Sequence, residues 1–121
     1  MPNPGPFIKS YRAEAAITGR SVVKFGAAGG VVAATVAADR AIGITDQLDA
    51  APGDMVDVIM SGSAELKLAG TVAAGQPVRG GAGGAGVAAT SGAGNVAIGY
   101  ALSAGVADDI IDVAIARHSV T

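Results

Sequence analysis

Apolar and polar side chains alternate along this chain with a period of two. Ala64, Leu66 and Leu68 are separated by Glu65 and Lys67, and Tyr11 and Ala13 alternate with Ser10 and Arg12. That is the spacing of a strand with one wet face, because successive side chains on a pleated backbone point to opposite sides. Val56, Val58 and Met60 share a face against Asp57, as Ile111, Val113 and Ile115 do against Asp112, while Ile59 and Ala114 add apolar groups to the other face. These two segments are therefore expected to be the most buried strands. Turn signals punctuate the pattern: the Gly-rich residues 26–30, Pro52-Gly53-Asp54, Gly75-Gln76-Pro77, residues 80–86 and residues 92–95. Short strands between such turns predict an all-β protein, a small barrel or sandwich. The only candidates for helix are single turns around residues 46–51 and 104–108.

The pattern occurs twice. An offset of 55 lays Val23-Lys24-Phe25-Gly26 over Val78-Arg79-Gly80-Gly81 and Val32-Ala33-Ala34-Thr35 over Val87-Ala88-Ala89-Thr90. One extra residue later Ala41-Ile42-Gly43 falls on Ala97-Ile98-Gly99, and at the original offset Asp54-Met55-Val56-Asp57-Val58 falls on Asp109-Ile110-Ile111-Asp112-Val113. Two copies are too few for a solenoid or propeller. The expected architecture is one domain over residues 7–121 built as a pseudo-twofold pair, about 7–61 and 62–116, preceded by an extended arm over residues 1–6. Pro2, Pro4 and Pro6 remove ladder donors from that arm and have no counterpart in the second copy. A feature shared by both copies reads as scaffold, and a feature of one copy only is where a specific task can sit.

Composition sharpens this. In 121 residues half are apolar, but 27 of them are Ala, with two Phe, two Tyr and no Trp, so the core is thin and burial against other chains is expected to add stability. Without cysteine there is no disulfide, thiolate nucleophile or sulfur-ligated metal. A net charge of −2 with interleaved signs gives no basic footprint for nucleic acid, and no apolar run is long enough to span a membrane. Neither a nucleic acid nor a membrane is expected as a partner.

Motifs with chemical potential have plainer explanations. Gly81-Ala82-Gly83-Gly84-Ala85-Gly86 matches the dinucleotide fingerprint G-x-G-x-x-G, but Val87-Ala88-Ala89-Thr90-Ser91-Gly92 follows where the fingerprint needs a helix N-terminus, so a hairpin loop is expected. His118 is the sole histidine and cannot assemble a triad or a metal site around itself. Asp54, Asp57, Asp108, Asp109 and Asp112 are the carboxylate clusters; matched positions at strand entries make them turn and solvent-facing residues, with acid/base or Ca²⁺ chemistry the alternative. No catalytic residue, cofactor site or metal site is expected. Lys9, Arg12, Arg20 and Lys24 make the start of the chain its most basic stretch, either a solvated strand face or a docking patch for an acidic surface.

The order of a Val-rich strand at Val22-Val23, the loop Gly26-Ala27-Ala28-Gly29-Gly30, Ala41-Ile42-Gly43-Ile44, then Pro52-Gly53-Asp54 into Val56-Asp57-Val58, followed by Gly75-Gln76-Pro77-Val78, Ala97-Ile98-Gly99-Tyr100 and Asp109-Ile110-Ile111-Asp112-Val113, resembles the capsid cement or decoration proteins of tailed bacteriophages. That group was long carried as a domain of unknown function and is sometimes labelled a RecA/RadA-like recombinase. The resemblance spans roughly residues 7–116. It implies a non-enzymatic all-β domain that binds the outside of an assembled phage head, often as a trimer, and stabilises the shell; the partner would be the major capsid protein and the location the virion. The recombinase label has no support, since the chain contains no G-x-x-x-x-G-K-[ST] loop. Candidate contacts with the shell or with a second copy are Pro2, Pro4, Pro6, Phe7, Ile8, Lys9, Tyr11, Arg12, Phe25 and Tyr100. Two other classes fit the residues: a barrel that holds a small ligand or glycan at its loop end, and a hydrolase or isomerase using Asp54, Asp57 or Asp112.

Overall fold

The computed structural model describes residues 7–90 and 95–120. Strands β1 (Ile8–Arg12), β2 (Val22–Phe25), β3 (Val31–Ala33), β4 (Ala41–Thr45) and β5 (Met55–Ile59) form one sheet, in the order β1-β5-β4-β2-β3. Strands β6 (Ser63–Lys67), β7 (Pro77–Gly80), β8 (Gly86–Ala88), β9 (Val96–Ala101) and β10 (Ile110–Ser119) form the other, in the order β6-β10-β9-β7-β8. All pairings within the sheets are antiparallel, and the sheets pack as a sandwich.

The two strand orders correspond position by position, and so do the bonds outside the ladders. A parallel bridge Ala13 to Val31 joins the ends of the first sheet, and Leu68 to Gly86 does so in the second. The bridge Ile17 to Ala50 recurs as Val72 to Gly105. Asp54 Oδ2 accepts the Ala51 N–H at 3.0 Å, and Asp109 Oδ2 accepts the Val106 N–H at 2.9 Å. These aspartates are turn residues, as their spacing before the strands predicts.

The A-I-G step has a steric cause. A Cβ on Gly43 would strike the Ile59 carbonyl, and one on Gly99 would strike the Ala114 carbonyl. Only glycine lets β4 approach β5, and β9 approach β10, this closely.

Two apolar clusters hold the structure. Val22, Ala41 and Ile44 of the first sheet join Leu66, Val78, Ile98 and Val113 of the second in a core shared by both sheets. The other face of the first sheet presents Val23, Val56 and Val58, over which Ala13, Ile17, Val31 and Ala50 close a smaller core. Lying between the two clusters, β4 is the strand buried along its whole length, not β5 or β10 as the sequence pattern suggests; Met55, Asp57, Ile110 and Asp112 are exposed. Neither residues 46–51 nor residues 104–108 are helical: the side chain of Asp46 accepts the Leu48 N–H at 3.0 Å, an Asx turn. Helical geometry among the described residues is limited to one 3-10 turn, Ala82–Gly84, inside the glycine loop that links β7 to β8. A strand therefore follows the G-x-G-x-x-G sequence, and no helix N-terminus faces it.

Candidate interaction surface

The first sheet differs from the second at its opening strand. In β6, Ala64 and Leu66 are buried between exposed Ser63, Glu65 and Lys67, as a one-sided strand should be. At the matched places in β1, Lys9 is exposed and Tyr11 only half-buried, so β1 meets solvent on both faces. Cross-strand register explains what each face carries. Lys9 and Tyr11 lie opposite Val58 and Val56 on the side of the smaller core, whereas Ile8, Ser10 and Arg12 lie opposite Ile59, Asp57 and Met55 on the other side.

Aromatic side chains collect on the smaller-core side. Tyr11 and Phe25 meet edge to face, with ring centroids 5.5 Å apart and planes at 77°. The Lys9 ammonium lies 5.5 Å from the centre of the Tyr11 ring, within cation–π range. The Tyr11 hydroxyl rests 3.8 Å from Met60 Sδ. Phe25 remains 52% exposed, so this cluster is anchored on one side and open on the other. Phe7 is held to the sheet by its N–H, which donates to Ser61 Oγ at 2.9 Å, and by its carbonyl, which accepts the Met60 N–H at 2.7 Å, yet its ring stays exposed.

The predicted contact residues thus fall into separate groups. Phe7, Lys9, Tyr11 and Phe25 belong to the first half and its smaller-core side; Ile8 and Arg12 point the opposite way, Ile8 opposite Ile59 and Arg12 opposite Met55, which is 62% exposed. Tyr100 stands apart on β9, stacked on His118 with centroids 4.8 Å apart and planes at 14°. Pro2, Pro4 and Pro6 lie outside the described residues. The basic stretch is dispersed: Lys24 Nζ donates to Asp39 Oδ1 at 2.8 Å, and Arg20 Nε donates to Glu65 Oε1 at 3.0 Å across the two halves. Sequence reasoning missed Leu48 and Met55, exposed apolar side chains beside the acidic turn at Asp46. An apolar residue between carboxylates in a turn, as in Asp46-Gln47-Leu48-Asp49, was the available signal.

Two functional classes can be weighed on this geometry. Asp54 and Asp109 spend a side-chain oxygen on their own turns, Asp57 Oδ1 accepts the Ser10 hydroxyl at 2.6 Å, and His118 Nδ1 lies 2.7 Å from the Ala116 carbonyl oxygen of its own strand. These contacts are structural; the Ser10–Asp57 pair is a cross-strand bond between exposed side chains of β1 and β5. What the first half does offer is an apolar and aromatic surface of the kind used for contact between proteins.

A family model described as phage cement protein matches residues 3–116. The chain belongs to that family. Cement proteins are structural rather than enzymatic, and membership implies a place in the virion. Among solved structures, the N base of head fiber gp8.5 in bacteriophage phi29 is similar with a TM-score of 0.67 at 16% identity, over 91% of this chain and 93% of that one. At that identity the likeness establishes the shared fold. No curated protein matches the sequence. Among the described residues no helix is long and apolar enough to cross a membrane. As a cement protein, the chain is a capsid-associated structural component.

Proposed function

We propose that this cement protein binds the outer surface of an assembled phage head through the major capsid protein, and stabilises the shell as a homo-oligomer, with a trimer the favoured form. The family match over residues 3–116 carries the reading. The surface supports it, since the first half exposes Phe7 and Phe25 around half-buried Tyr11 where the second half buries Leu66. Half-buried aromatics on a rigid strand are good anchors, because their rotamers are already restricted and little entropy remains to be lost on docking. Ile8, Lys9, Arg12 and Tyr100 supply further contacts, to the shell or to a neighbouring copy. We read the chain as one domain of two duplicated halves, made in the host cytoplasm and displayed on the head. The matched strand orders support the duplication. The arm of residues 1–6, outside the described residues, is proposed to lie along a neighbouring subunit.

Cosedimentation with purified heads tests this. Full-length protein should pellet with heads, and a Phe25→Ala and Tyr11→Ala double variant should be retained at least tenfold less well, a loss in the range expected for interface anchors of about 2 kcal/mol or more. Deleting residues 2–6 should leave the melting of the free protein unchanged and weaken retention. Failure of the full-length chain to bind any head built from its cognate capsid protein would overturn the reading.

A further inference from the structure

The two ends of the adjoining strands β4 and β10 carry opposite charge. Arg40 immediately precedes β4 and Asp46 immediately follows it, while Asp112 lies near the start of β10, and Arg117 and His118 near its end. Packing brings like charges together. One end is a shallow basic depression lined by Arg40, Val96, Arg117, His118 and Ser119. The other is a cleft of about 370 Å³ whose lining includes Asp46, Leu48, Ile59, Glu65 and Asp112. At about 3.3 Å per strand residue, the ends lie roughly 20 Å apart.

Neither end is neutralised among the described residues. Asp46 also borders an adjoining hollow with Asp49 and Asp57, so the acidic end presents five carboxylates against one lining guanidinium, Arg20, which is already bonded to Glu65. Among the described residues Arg40 and Arg117 have no carboxylate partner, and Asp39, next to Arg40, is engaged by Lys24. Both ends also expose an apolar side chain. Leu48 is 65% exposed at the cleft, and at the basic end Val36 is 57% exposed beside Ala37, whose carbonyl accepts the Val96 N–H at 2.8 Å.

We propose that these ends dock on one another between copies of this chain, with Arg40 and Arg117 of one copy entering the Asp46–Asp112 cleft of the next. The occupant is a second copy because each chain carries both complementary surfaces once, on opposite ends, where its own geometry forbids their meeting. Contact between unlike patches is heterologous, so it closes into a ring or continues as a chain according to the rotation between neighbours. The charges steer encounter and fix orientation, and Leu48 is covered as the cleft fills. This deepens the homo-oligomer reading and rests on it.

A cross-link that leaves every charge in place tests the contact. The chain lacks cysteine, so a variant carrying Gln47→Cys and Ser119→Cys, at exposed neutral positions in the two linings, can form a 47-to-119 bond only between copies, because a disulfide needs Cα atoms within about 7 Å. Oxidation should give a ladder or closed ring of linked chains from the double variant, and neither single variant should be linked. In parallel, Arg40→Glu with Arg117→Glu should weaken self-association in sedimentation on the order of tenfold or more, Asp46→Lys with Asp112→Lys should do the same, and all four together should restore it. No 47-to-119 link, or self-association indifferent to both reversals, overturns the inference. A chain that binds heads yet stays monomeric in solution and on the shell refutes this contact and the homo-oligomer reading together and leaves shell binding standing; a chain that forms oligomers indifferent to both reversals refutes this contact alone; a chain that assembles with this charge dependence but ignores heads refutes only the shell-binding reading.

Discussion

Arg20 sits where a side chain is disfavoured, and this yields a stability prediction whose sign is unusual. Its φ is 58°, in the left-handed region, and the matched position in the second half is Gly75 with φ 81°. The backbone requirement is the same in both halves, since the Arg20 N–H donates to the Asp46 carbonyl and the Gly75 N–H to the Ala101 carbonyl, each at 2.7 Å. A side chain held in this region costs about 1–2 kcal/mol. Against that, the Arg20–Glu65 pair, with side chains 27% and 55% exposed, returns about 0–1 kcal/mol, toward the low end because water screens it. Arg20→Ala removes the pair and keeps the strain. Arg20→Gly removes both and pays only glycine's extra unfolded-state entropy, about 0.5–1 kcal/mol. The glycine variant should therefore be more stable than the alanine variant by about 1 kcal/mol, or roughly 3–5 °C in Tm for a chain of this size. Gly75→Ala is the control, because a Cβ there would meet no atom within 4 Å and the cost is purely conformational; it should destabilise by a similar amount. Urea melts of the variants decide it. An alanine variant as stable as the glycine one would refute the reasoning, and would mean that the backbone at residue 20 relaxes once the arginine is gone.

Three other outcomes are expected. Gly43→Ala and Gly99→Ala should each cost about 1–3 kcal/mol in denaturant titrations, because the added methyl meets a neighbouring strand's carbonyl that has no room to move. Leu66→Ala, in the core shared by both sheets, should cost about 2–5 kcal/mol, and Phe25→Ala distinctly less because half of its ring is already in water; equal losses would place the first half's aromatics in the core. Burial raises the pKa of Asp39, but the Lys24 ammonium and the N–H groups of Thr35 and Val36 outweigh it and hold the carboxyl below its ordinary 3.8. A depressed folded pKa contributes stability that is present above 3.8 and is lost as pH falls below it, so the advantage of the parent chain over Asp39→Asn should be constant near neutrality and shrink below about pH 4 in melts across pH.

Period-two spacing placed β5, β6 and β10 correctly in the sequence because each has a polar residue at a solvent-facing position, Asp57, Glu65 and Asp112, to mark its phase. β4 had no such mark. Ala41-Ile42-Gly43-Ile44-Thr45 reads as a modest strand, and its complete burial follows from lying between two apolar clusters, a property of sheet packing that no local window contains. Residues 46–51 were a candidate for a single helical turn, but the side chain of Asp46 claims the Leu48 N–H first. The exposed aromatics of the first half were legible as residue types without partners in the second copy. Their division onto two faces was not, since it depends on which neighbour each meets across the strand. Arg40 and Arg117 are distant in sequence and carried no signal until packing of the two sheets brought the start of β4 to the end of β10.

Where the halves differ, the differences run in one direction. Lys9, Tyr11, Arg20 and Phe25 of the first half stand at places that the second half fills with Ala64, Leu66, Gly75 and Gly80, which are buried or unstrained by comparison. The second half therefore supplies most of the core shared by the two sheets, while the first keeps a smaller core of its own beneath its exposed side chains. Phe7 and Phe25 each keep about half of their surface in water, so covering them fully gains roughly half of the value for a whole side chain, about 1 kcal/mol each. Buried apolar side chains of the shared core are thus weighted to the second half and exposed aromatic ones to the first. Substitutions that abolish docking while leaving the fold intact should accordingly cluster in the first half, whereas those that unfold the chain should be concentrated in β4, β9 and β10.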